Sequence, residues 1–485
     1  MSQTLNVHVR VNDAATGQPT PVRIRFAGPN GEYFPPLGRT SDFPTGRNED
    51  VGGSIYLGGQ RFAYIDGACE VPLPTSTPLS VEITKGLEWV PIRQTVTLGE
   101  GQLSLRFAIE RWTDDRWRNL VHVDSRCHFL SPHSAKLEAM AEGLDFVNLL
   151  IAAQDYPSTD GHMYRVMPNM TAFSGQSPAV DRVFVNTLNV HPALGTLGLL
   201  NCHRAVFPVT FGHSDETDDW SLADWCGQCH RKKGLVVWCD AYRPESGLPG
   251  GEALVNAILG NVDAIEFDAR DRKSPLLPTW YQLLNAGIRL PIVGGSVKDS
   301  NRIATGSVRT LTRASVNPTY ADWIECVRRG ETVVTNGPLL DLQVSGPGPK
   351  LQITVAAASV VPFDRLELIV DGEVVVCESA VTGDVVTARF EIEKVLEGGW
   401  IAARCWGPPK SDLYPQSPVF AHTSPIFFET TGVSQKRADA VKRFLREVAA
   451  VRQWVERDGR FANPRRKEHL LSLCDAATSK LSGES

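Results

Sequence analysis

The spacing of apolar and polar residues changes three times along this chain. Up to about residue 112, apolar residues such as Val7 and Val9 alternate with polar ones, which is the period of half-buried β-strands. From about 113, short unbroken apolar runs alternate with helix-like segments, a pattern that predicts a parallel α/β sheet covered on both faces. Alternation returns after Gly337, and apolar residues recur with helical spacing from about 432. The pattern predicts four regions: a β-sandwich at 1–112, an α/β domain at 113–336, a β-rich domain at 337–431 and a helical tail at 432–485.

The stretch 119–154 predicts a strand, a helix and a second strand, because a β-rich run is followed by helically spaced apolar residues and then by a nearly continuous apolar run. Asp124, Arg126 and His128 follow the first strand at every second position. Alternate residues of an extended segment share one face, and residues at the carboxyl ends of strands in α/β sheets and barrels line the ligand-binding mouth. We therefore expect these three side chains to converge on one site.

Several stretches resemble a known family. The Asp-x-Arg-x-His stretch at 124–128 is similar to the Asp-x-His-x-His motif that opens the PHP-like metallohydrolases, in particular the CehA/McbA family. The runs at 280–311 and 320–340 resemble the family's final barrel strand and the segment that leaves the barrel. The run at 9–26 resembles the carboxypeptidase-regulatory-like modules that precede the catalytic domain.

The resemblance implies an α/β fold in which a PHP-like (β/α) barrel is flanked by an N-terminal β-sandwich and a C-terminal β-domain with a helical tail. It also implies a metal-dependent hydrolase that acts on an ester, an amide or a phosphoester. A small-molecule substrate or ligand would then bind in the barrel mouth.

The metal-ligand positions depart from the family's pattern. Arg126 replaces the middle histidine of the opening motif, and a guanidinium has no lone pair to give a metal. Val297 follows Gly-Gly-Ser where the family has an aspartate ligand, and Cys239-Asp240 stands where the family commonly has a histidine. Thr196 lies where a Gly-His pair is common. The motifs of the scaffold are kept while those of the metal site are replaced.

Enough potential ligands remain near the predicted strand ends for at most one metal. Oxygen and imidazole nitrogen donors suit zinc, manganese or iron, and a bound metal would lower the pKa of a water molecule and polarise the substrate. His128, Asp124 and Arg126 are the candidate catalytic residues. The candidate metal ligands are Asp124, His128, His191, Asp240 and Asp299, with Glu266 nearby.

The alternative is that no metal binds. The carboxylates would then be loop residues, the histidines would be held by hydrogen bonds, and Arg126 would form a salt bridge with Asp124 or bind a carboxylate or phosphate. Two function classes follow: a metal-dependent hydrolase with an altered site, or a catalytically inactive relative that serves as a ligand-binding or protein-interaction module.

A second motif, Cys-Gly-Gln-Cys-His at 226–230, matches the haem c attachment pattern. It lies in a predicted helix at 221–233 that ends at Gly234, and the chain shows no export signal. We therefore expect no haem. Zinc held by Cys226, Cys229 and His230, with Cys239 as a fourth ligand, is one alternative, and packed thiols on a helix are the other.

Composition limits the partners and the compartment. A formal net charge of −6 argues against a nucleic-acid binder, and no apolar run has membrane-spanning length. Ten cysteines without regular spacing predict reduced thiols and a cytoplasmic location. Between residues 434 and 468 there are eleven Lys/Arg against five Asp/Glu, which predicts either a surface for an acidic partner or a solvated helical face.

Overall fold

The structure is a computed structural model of the 485-residue chain. It describes residues 4–39, 52–157, 163–167, 169–213, 216–243, 248–268, 276–313, 317–346, 350–395, 399–415, 417–428 and 435–483. The protein has a mixed α/β fold built from several sheets and seven α-helices within these ranges.

The first region forms strands only, within its described residues. Apolar residues at every second position of β1 (Thr4–Asp13) are buried, as the alternation predicts. β5, β1 and β8 form one sheet and β3, β4, β2, β6 and β7 a second, and both sheets contribute to a single apolar core. The other strands are β2 (Val22–Ala27), β3 (Ser54–Leu57), β4 (Gln60–Ile65), β5 (Ala68–Pro74), β6 (Pro78–Thr84), β7 (Ile92–Thr97) and β8 (Ser104–Ile109).

Strands and helices alternate in the second region. Its strands are β9 (Leu120–Cys127), β10 (Phe146–Ala152), β11 (Gln154–Pro157), β12 (Met163–Val166), β13 (Val183–His191), β14 (Gly195–Leu200), β15 (Leu235–Cys239), β16 (Ala264–Asp268), β17 (Ile292–Gly295), β18 (Arg309–Arg313) and β19 (Val333–Thr335). Its helices are α1 (Pro132–Ala141), α2 (Leu222–Arg231), α3 (Gly251–Leu259), α4 (Leu276–Asn285) and α5 (Tyr320–Arg329), with short 3₁₀ turns at Asp115–Trp117 and Met170–Ala172.

The main sheet of this region is mixed, whereas the apolar runs predict a parallel sheet. β9, β10 and β13 are parallel neighbours, and so are β15, β16 and β17. β14 lies between the two groups and is antiparallel to both neighbours. The connection from β13 to β14 is only three residues long, and such a short connection can join only antiparallel strands.

The C-terminal β-rich region continues this sheet. β19 pairs with β26, which pairs with β25 and through it with β22 and β23, while β20, β21 and β24 form a separate sheet. The strands are β20 (Leu339–Ser345), β21 (Lys350–Ser359), β22 (Arg365–Val370), β23 (Glu373–Ser379), β24 (Val386–Val395), β25 (Gly399–Trp406), β26 (Phe420–Thr423) and β27 (Ile426–Phe428). The domain boundaries near residues 112, 336 and 431 remain predictions.

Two helices end the described chain, α6 (Gln435–Arg457) and α7 (Pro464–Ser482). α6 buries Phe444, Val448 and Val455 on one face, and both helices share the large core formed with α3 and α4. Asn463 caps α7 by accepting a hydrogen bond from the backbone N–H of Arg465, as the Asn-Pro start predicts. In the described ranges, no helix is long and apolar enough to cross a membrane.

The first three regions meet at the buried carboxylate of Glu142, directly after α1. It accepts hydrogen bonds from Arg23 at 2.8 Å, from the hydroxyl of Tyr64 at 2.9 Å and from the hydroxyl of Tyr414 at 2.7 Å. Arg23 and Glu142 are almost completely shielded from solvent. Because a buried charge is costly without its partner, this ion pair favours a fixed arrangement of the three regions.

Candidate functional site

Three strands bring four polar side chains together at the carboxyl ends of the sheet. Arg126 lies in β9 with His128 just beyond it, Asp240 follows β15, and Glu266 lies in β16. The guanidinium of Arg126 donates from Nη1 to Glu266 Oε2 and from Nη2 to Asp240 Oδ2, each at 3.0 Å. Its Nε donates to Nε2 of His128, also at 3.0 Å. One fixed cation is therefore held between two carboxylates and an imidazole.

The salt bridge expected between Arg126 and Asp124 is replaced by the pairs with Asp240 and Glu266. The side chain of Arg126 is only 5% exposed, and that of Glu266 only 1%. Burial alone would lower the pKa of Arg126, but the negative charges of Asp240 and Glu266 raise it well above its ordinary value. The guanidinium is therefore permanently charged in this site.

Asp124 is fully buried, and its carboxylate is saturated with hydrogen bonds. Oδ1 accepts from the backbone N–H of Ser296 at 2.9 Å and of Arg126 at 3.1 Å. Oδ2 accepts from the hydroxyl of Ser296 at 2.5 Å and from the backbone N–H of Gly306 at 2.8 Å. Burial raises the pKa of Asp124 to about 6, although these hydrogen bonds act in the opposite direction. A carboxylate has about four lone-pair sites, so Asp124 holds the end of β17 against β9 and has no site left for a metal.

His128 is held through both of its ring nitrogens. Nδ1 lies 2.7 Å from the carbonyl oxygen of Leu150, and Nε2 faces the Nε–H of Arg126. A carbonyl only accepts and a guanidinium only donates. The imidazole therefore carries its proton on Nδ1 and presents its Nε2 lone pair to Arg126.

Gly295 packs closely against this cluster, and only the absence of a side chain at this position leaves room for Glu266 and Arg126. A Cβ atom at this position would lie 2.6 Å from Glu266 Oε1 and 3.0 Å from the Cβ atom of Arg126. Ser125 donates to the same Glu266 oxygen at 3.4 Å. Asp240, whose side chain is 21% exposed, connects the cluster to the surface and also pairs with Arg243 at 3.0 Å.

His191 lies at the end of β13 and has different partners. Its Nε2 is 3.0 Å from Asp218 Oδ1, and its Nδ1 accepts from the backbone N–H groups of Ala193 and Leu194 at 3.1 and 2.9 Å. Burial lowers the pKa of His191, and Asp218 opposes this shift. Asp299 is exposed. No hydrogen bond or ion pair found within the described ranges connects His191 or Asp299 to the Arg126 cluster.

The cysteine motif lies on α2, whose capping box at Ser221 and Asp224 agrees with the predicted start of the helix. Cys226 and Cys229 are buried, and Sγ of Cys229 lies 3.4 Å from Sγ of Cys202. Nε2 of His230 instead contacts Asp263 Oδ2 at 2.9 Å. The imidazole is therefore engaged with a carboxylate, and the thiol of Cys229 contacts a third thiol that the motif does not include.

The sequence motifs did not indicate a buried ion pair that lies just beyond β17. Nζ of Lys298 lies 3.4 Å from Glu138 Oε2, with both side chains fully buried, and it donates to the carbonyl oxygens of Ser300 and Ile303. The motifs did not indicate the role of Ser296 either. The Gly-Gly-Ser run was the available signal, because a small residue followed by a hydroxyl donor suits a strand end that packs against a carboxylate.

The side chains present do not fit a metal ion in this arrangement. The lone pairs of Asp124 are all used, the unprotonated nitrogen of His128 accepts from Arg126, and Arg126 already pairs with Asp240 and Glu266. A divalent ion in the same place would have to displace a buried guanidinium of like charge. Over the described part of the chain, no three His, Cys, Asp or Glu side chains are grouped so as to hold a metal ion.

Comparisons with protein-family models, with curated proteins and with solved structures gave no match to this chain.

Proposed function

We propose that this protein is a catalytically inactive relative of the PHP-like metallohydrolases, and that it binds a small-molecule ligand in the mouth of its α/β domain without a metal. The observation that carries this proposal is the set of contacts from Arg126 to Asp240, Glu266 and His128. The guanidinium supplies a positive charge among side chains that could otherwise ligate a metal. A hydrolase of this class needs a metal to activate water, whereas a binding site needs only fixed polar groups.

The proposed scaffold is a distorted barrel formed by the strands from β9 to β17. The strand pairing itself follows an open path that has β17 at one end. Just beyond β17, however, Val297 N–H donates to the carbonyl of Arg126 at 2.8 Å, and His128 N–H donates to the carbonyl of Lys298 at 2.8 Å. These bonds join the two ends of the strand series and support closure around the Arg126 cluster.

The solvent-facing edge of the cluster indicates a polar ligand. Of the two carboxylates that Arg126 contacts, Asp240 is the more exposed, and it follows β15 in a left-handed backbone conformation with φ of 51°. Non-glycine residues held in this uncommon backbone conformation are concentrated at functional sites. A ligand that donates hydrogen bonds to Asp240 would bind without disturbing the more deeply buried pair of Arg126 and Glu266.

A reducing, cytoplasmic setting suits this protein, because its ten cysteines are all free thiols. The basic residues of α6 and α7 partly pair within the molecule, as Arg443 does with Glu447 and Arg452 does with Glu456. An acidic partner for the tail would therefore use the remaining cations.

The experiment that tests the proposal combines metal analysis with activity. Wild-type protein and the Arg126→His variant are dialysed against zinc, manganese or iron(II), analysed for bound metal and assayed on phosphoester, carboxylester and amide substrates. We expect wild type to retain no stoichiometric metal and to hydrolyse none of these substrates. The variant, which frees Asp240, Glu266 and His128, should bind metal.

The opposite result would support a hydrolase with an altered site. In that case wild type would hold a stoichiometric metal, and His128→Ala would remove both metal and hydrolysis.

Ligand binding is tested by a thermal-shift screen of small polar molecules, in which stabilisation should be lost in Asp240→Asn and kept in Lys410→Gln, an exposed control. A screen in which no compound stabilises wild type more than Asp240→Asn would count against binding in the mouth.

A further inference from the structure

A cavity of about 620 Å³ lies at the opposite ends of the strands from Arg126. Val262 and Asp263 come directly before β16, and Arg289 and Pro291 come directly before β17, so the cavity faces the amino-terminal ends of these parallel strands. Arg437 of α6 and the C-terminal end of α7 complete the wall. Its volume falls within the range of small-molecule sites in proteins.

The wall of this cavity has an apolar part and a strongly cationic part. The apolar part includes aliphatic and aromatic side chains from four different segments of the chain. Among the described residues that line the cavity, the charged ones are five cations and a single carboxylate. The apolar part is Ile258, Val262, Ile288, Phe427 and Leu481, and the charged part is Arg289, Arg328, Arg329, Arg437, Lys480 and Asp263.

Some of these charges are already used by the protein. Asp263 accepts from the backbone N–H of Val236 at 2.7 Å and contacts His230 at 2.9 Å. Arg328 donates to the carbonyl oxygen of Gly234 at 2.8 Å. Arg329 pairs with Glu331 at 2.7 Å.

The charges of Arg289 and Lys480 remain available to a ligand. Arg289 and Lys480 form no ion pair with any side chain in the described ranges, and both are exposed. The guanidinium of Arg289 lies 5.0 Å from the ring centre of Phe427, so a cation stands beside the aromatic part of the wall. A Cβ atom at Gly260 would lie 3.7 Å from Lys480 Nζ, which places this ammonium over the end of α3.

Helix ends explain only part of this charge. α3, α4, α5 and α7 all end near the cavity, and cations are stabilised at helix C-termini. Arg289, however, lies between α4 and β17 and contacts an aromatic ring, so the helix dipole gives no reason for its place. A half-open pocket that combines an apolar wall with Arg289 and Lys480, which have no ion-pair partner among the described residues, suits a ligand that has both an apolar body and negative charge.

We propose that this cavity binds a small organic anion in which a phosphate or a pair of carboxylates is attached to an apolar body. The acid groups pair with Arg289 and Lys480, and the apolar body packs on Phe427, Ile258 and Leu481. This site is separate from the mouth at Arg126, so either proposal can fail while the other holds.

Isothermal titration calorimetry of the full chain tests the proposal with three probes. 1-Naphthyl phosphate carries both features, inorganic phosphate carries only the charge, and 1-naphthol carries only the apolar body. We expect 1-naphthyl phosphate to bind about tenfold or more tightly than either of the others. Its affinity should also fall as salt is added, because the cations are exposed.

Two matched double variants assign the binding to the cavity. Arg289→Gln with Lys480→Gln should weaken binding of 1-naphthyl phosphate by about tenfold or more. Arg106→Gln with Lys410→Gln removes the same two charge types from exposed positions elsewhere and should leave the affinity unchanged. Circular dichroism of both variants checks that they fold as wild type does.

Three results would overturn the proposal. Equal affinities for 1-naphthyl phosphate and inorganic phosphate would mean that the apolar wall takes no part. Unchanged binding in the double variant Arg289→Gln with Lys480→Gln, or no binding of 1-naphthyl phosphate to wild type, would rule out binding in this cavity. Tighter binding of a hexaglutamate peptide, lost in the same variant, would assign the cavity to an acidic protein partner instead.

Discussion

Arg126 Nε donates to Nε2 of His128 across 3.0 Å, and this contact fixes the chemical form of the imidazole. The other ring nitrogen lies 2.7 Å from the carbonyl oxygen of Leu150. A histidine in this state offers no free lone pair to a metal, because its acceptor nitrogen is engaged by the neighbouring guanidinium. The two residues stand two positions apart in the chain, at the end of β9.

The tautomer of His128 is the first prediction. We expect nitrogen NMR of the folded protein to show a neutral ring protonated on Nδ1, because a guanidinium donates to Nε2 and a carbonyl accepts from Nδ1. Arg126→Gln should change the Nε2 resonance of His128. A ring protonated on Nε2 in wild type would contradict the described contact.

The second prediction concerns the ion pairs of Arg126. Arg126→Gln should lower the free energy of unfolding by about 3–5 kcal/mol, because it leaves the buried carboxylate of Glu266 without its cation. Adding Glu266→Gln should restore part of the loss, since no unpaired charge then remains at that position. Denaturant unfolding measures both effects. Arg106→Gln, at an exposed position, is the matched control, and an equal loss there would show that the ion pairs are not the cause.

The third prediction concerns the tight packing at Gly295. Gly295→Ala should cost about 1–3 kcal/mol of stability, because its Cβ atom would overlap Glu266 Oε1 and press on the Cβ atom of Arg126. Gly99→Ala places a methyl group in open surroundings, with the nearest atom 4.0 Å away, and should be nearly neutral. Thermal unfolding of the two variants compares them directly. Equal melting temperatures would mean that the strand ends can move apart.

The fourth prediction is a pH dependence that originates at His422. Burial lowers the pKa of His422 to about 3, and Nε2 of the ring lies 2.6 Å from the hydroxyl of Tyr281. Between the unfolded pKa of about 6.5 and the folded pKa, only the unfolded chain takes up the proton. The stability contributed by a neutral His422 is therefore complete above about pH 6.5 and is lost as the pH falls, by about 1.4 kcal/mol per pH unit.

Chemical denaturation at pH 7.5 and pH 5.5 tests this pH dependence. The stability of wild type should fall more than that of His422→Gln, because glutamine cannot titrate. His8→Gln, at an exposed position, should follow wild type. Parallel losses in wild type and His422→Gln would show that the imidazole does titrate in the folded state.

Local features were well predicted by the sequence. The alternation of Val7, Val9 and Val11 gave a strand with those residues buried, and the Ser221 start gave a capped helix that holds Cys226 and Cys229. Asn463-Pro464 gave the start of α7. These signals were sufficient because side-chain period, caps and proline act over a few residues of chain.

The pairing of the charges was decided by the tertiary structure alone. Arg126 pairs with Asp240 and Glu266, which are 114 and 140 positions away along the chain, and not with its near neighbour Asp124. The reason is that Asp124 is taken up by the backbone and hydroxyl donors of Ser296 and Gly306, which reach it only when β17 lies beside β9. The sequence by itself determined which residue types stand at the strand ends. Which of them neutralise one another depended on strand order, because a buried cation pairs with whichever carboxylates the folded sheet brings within reach.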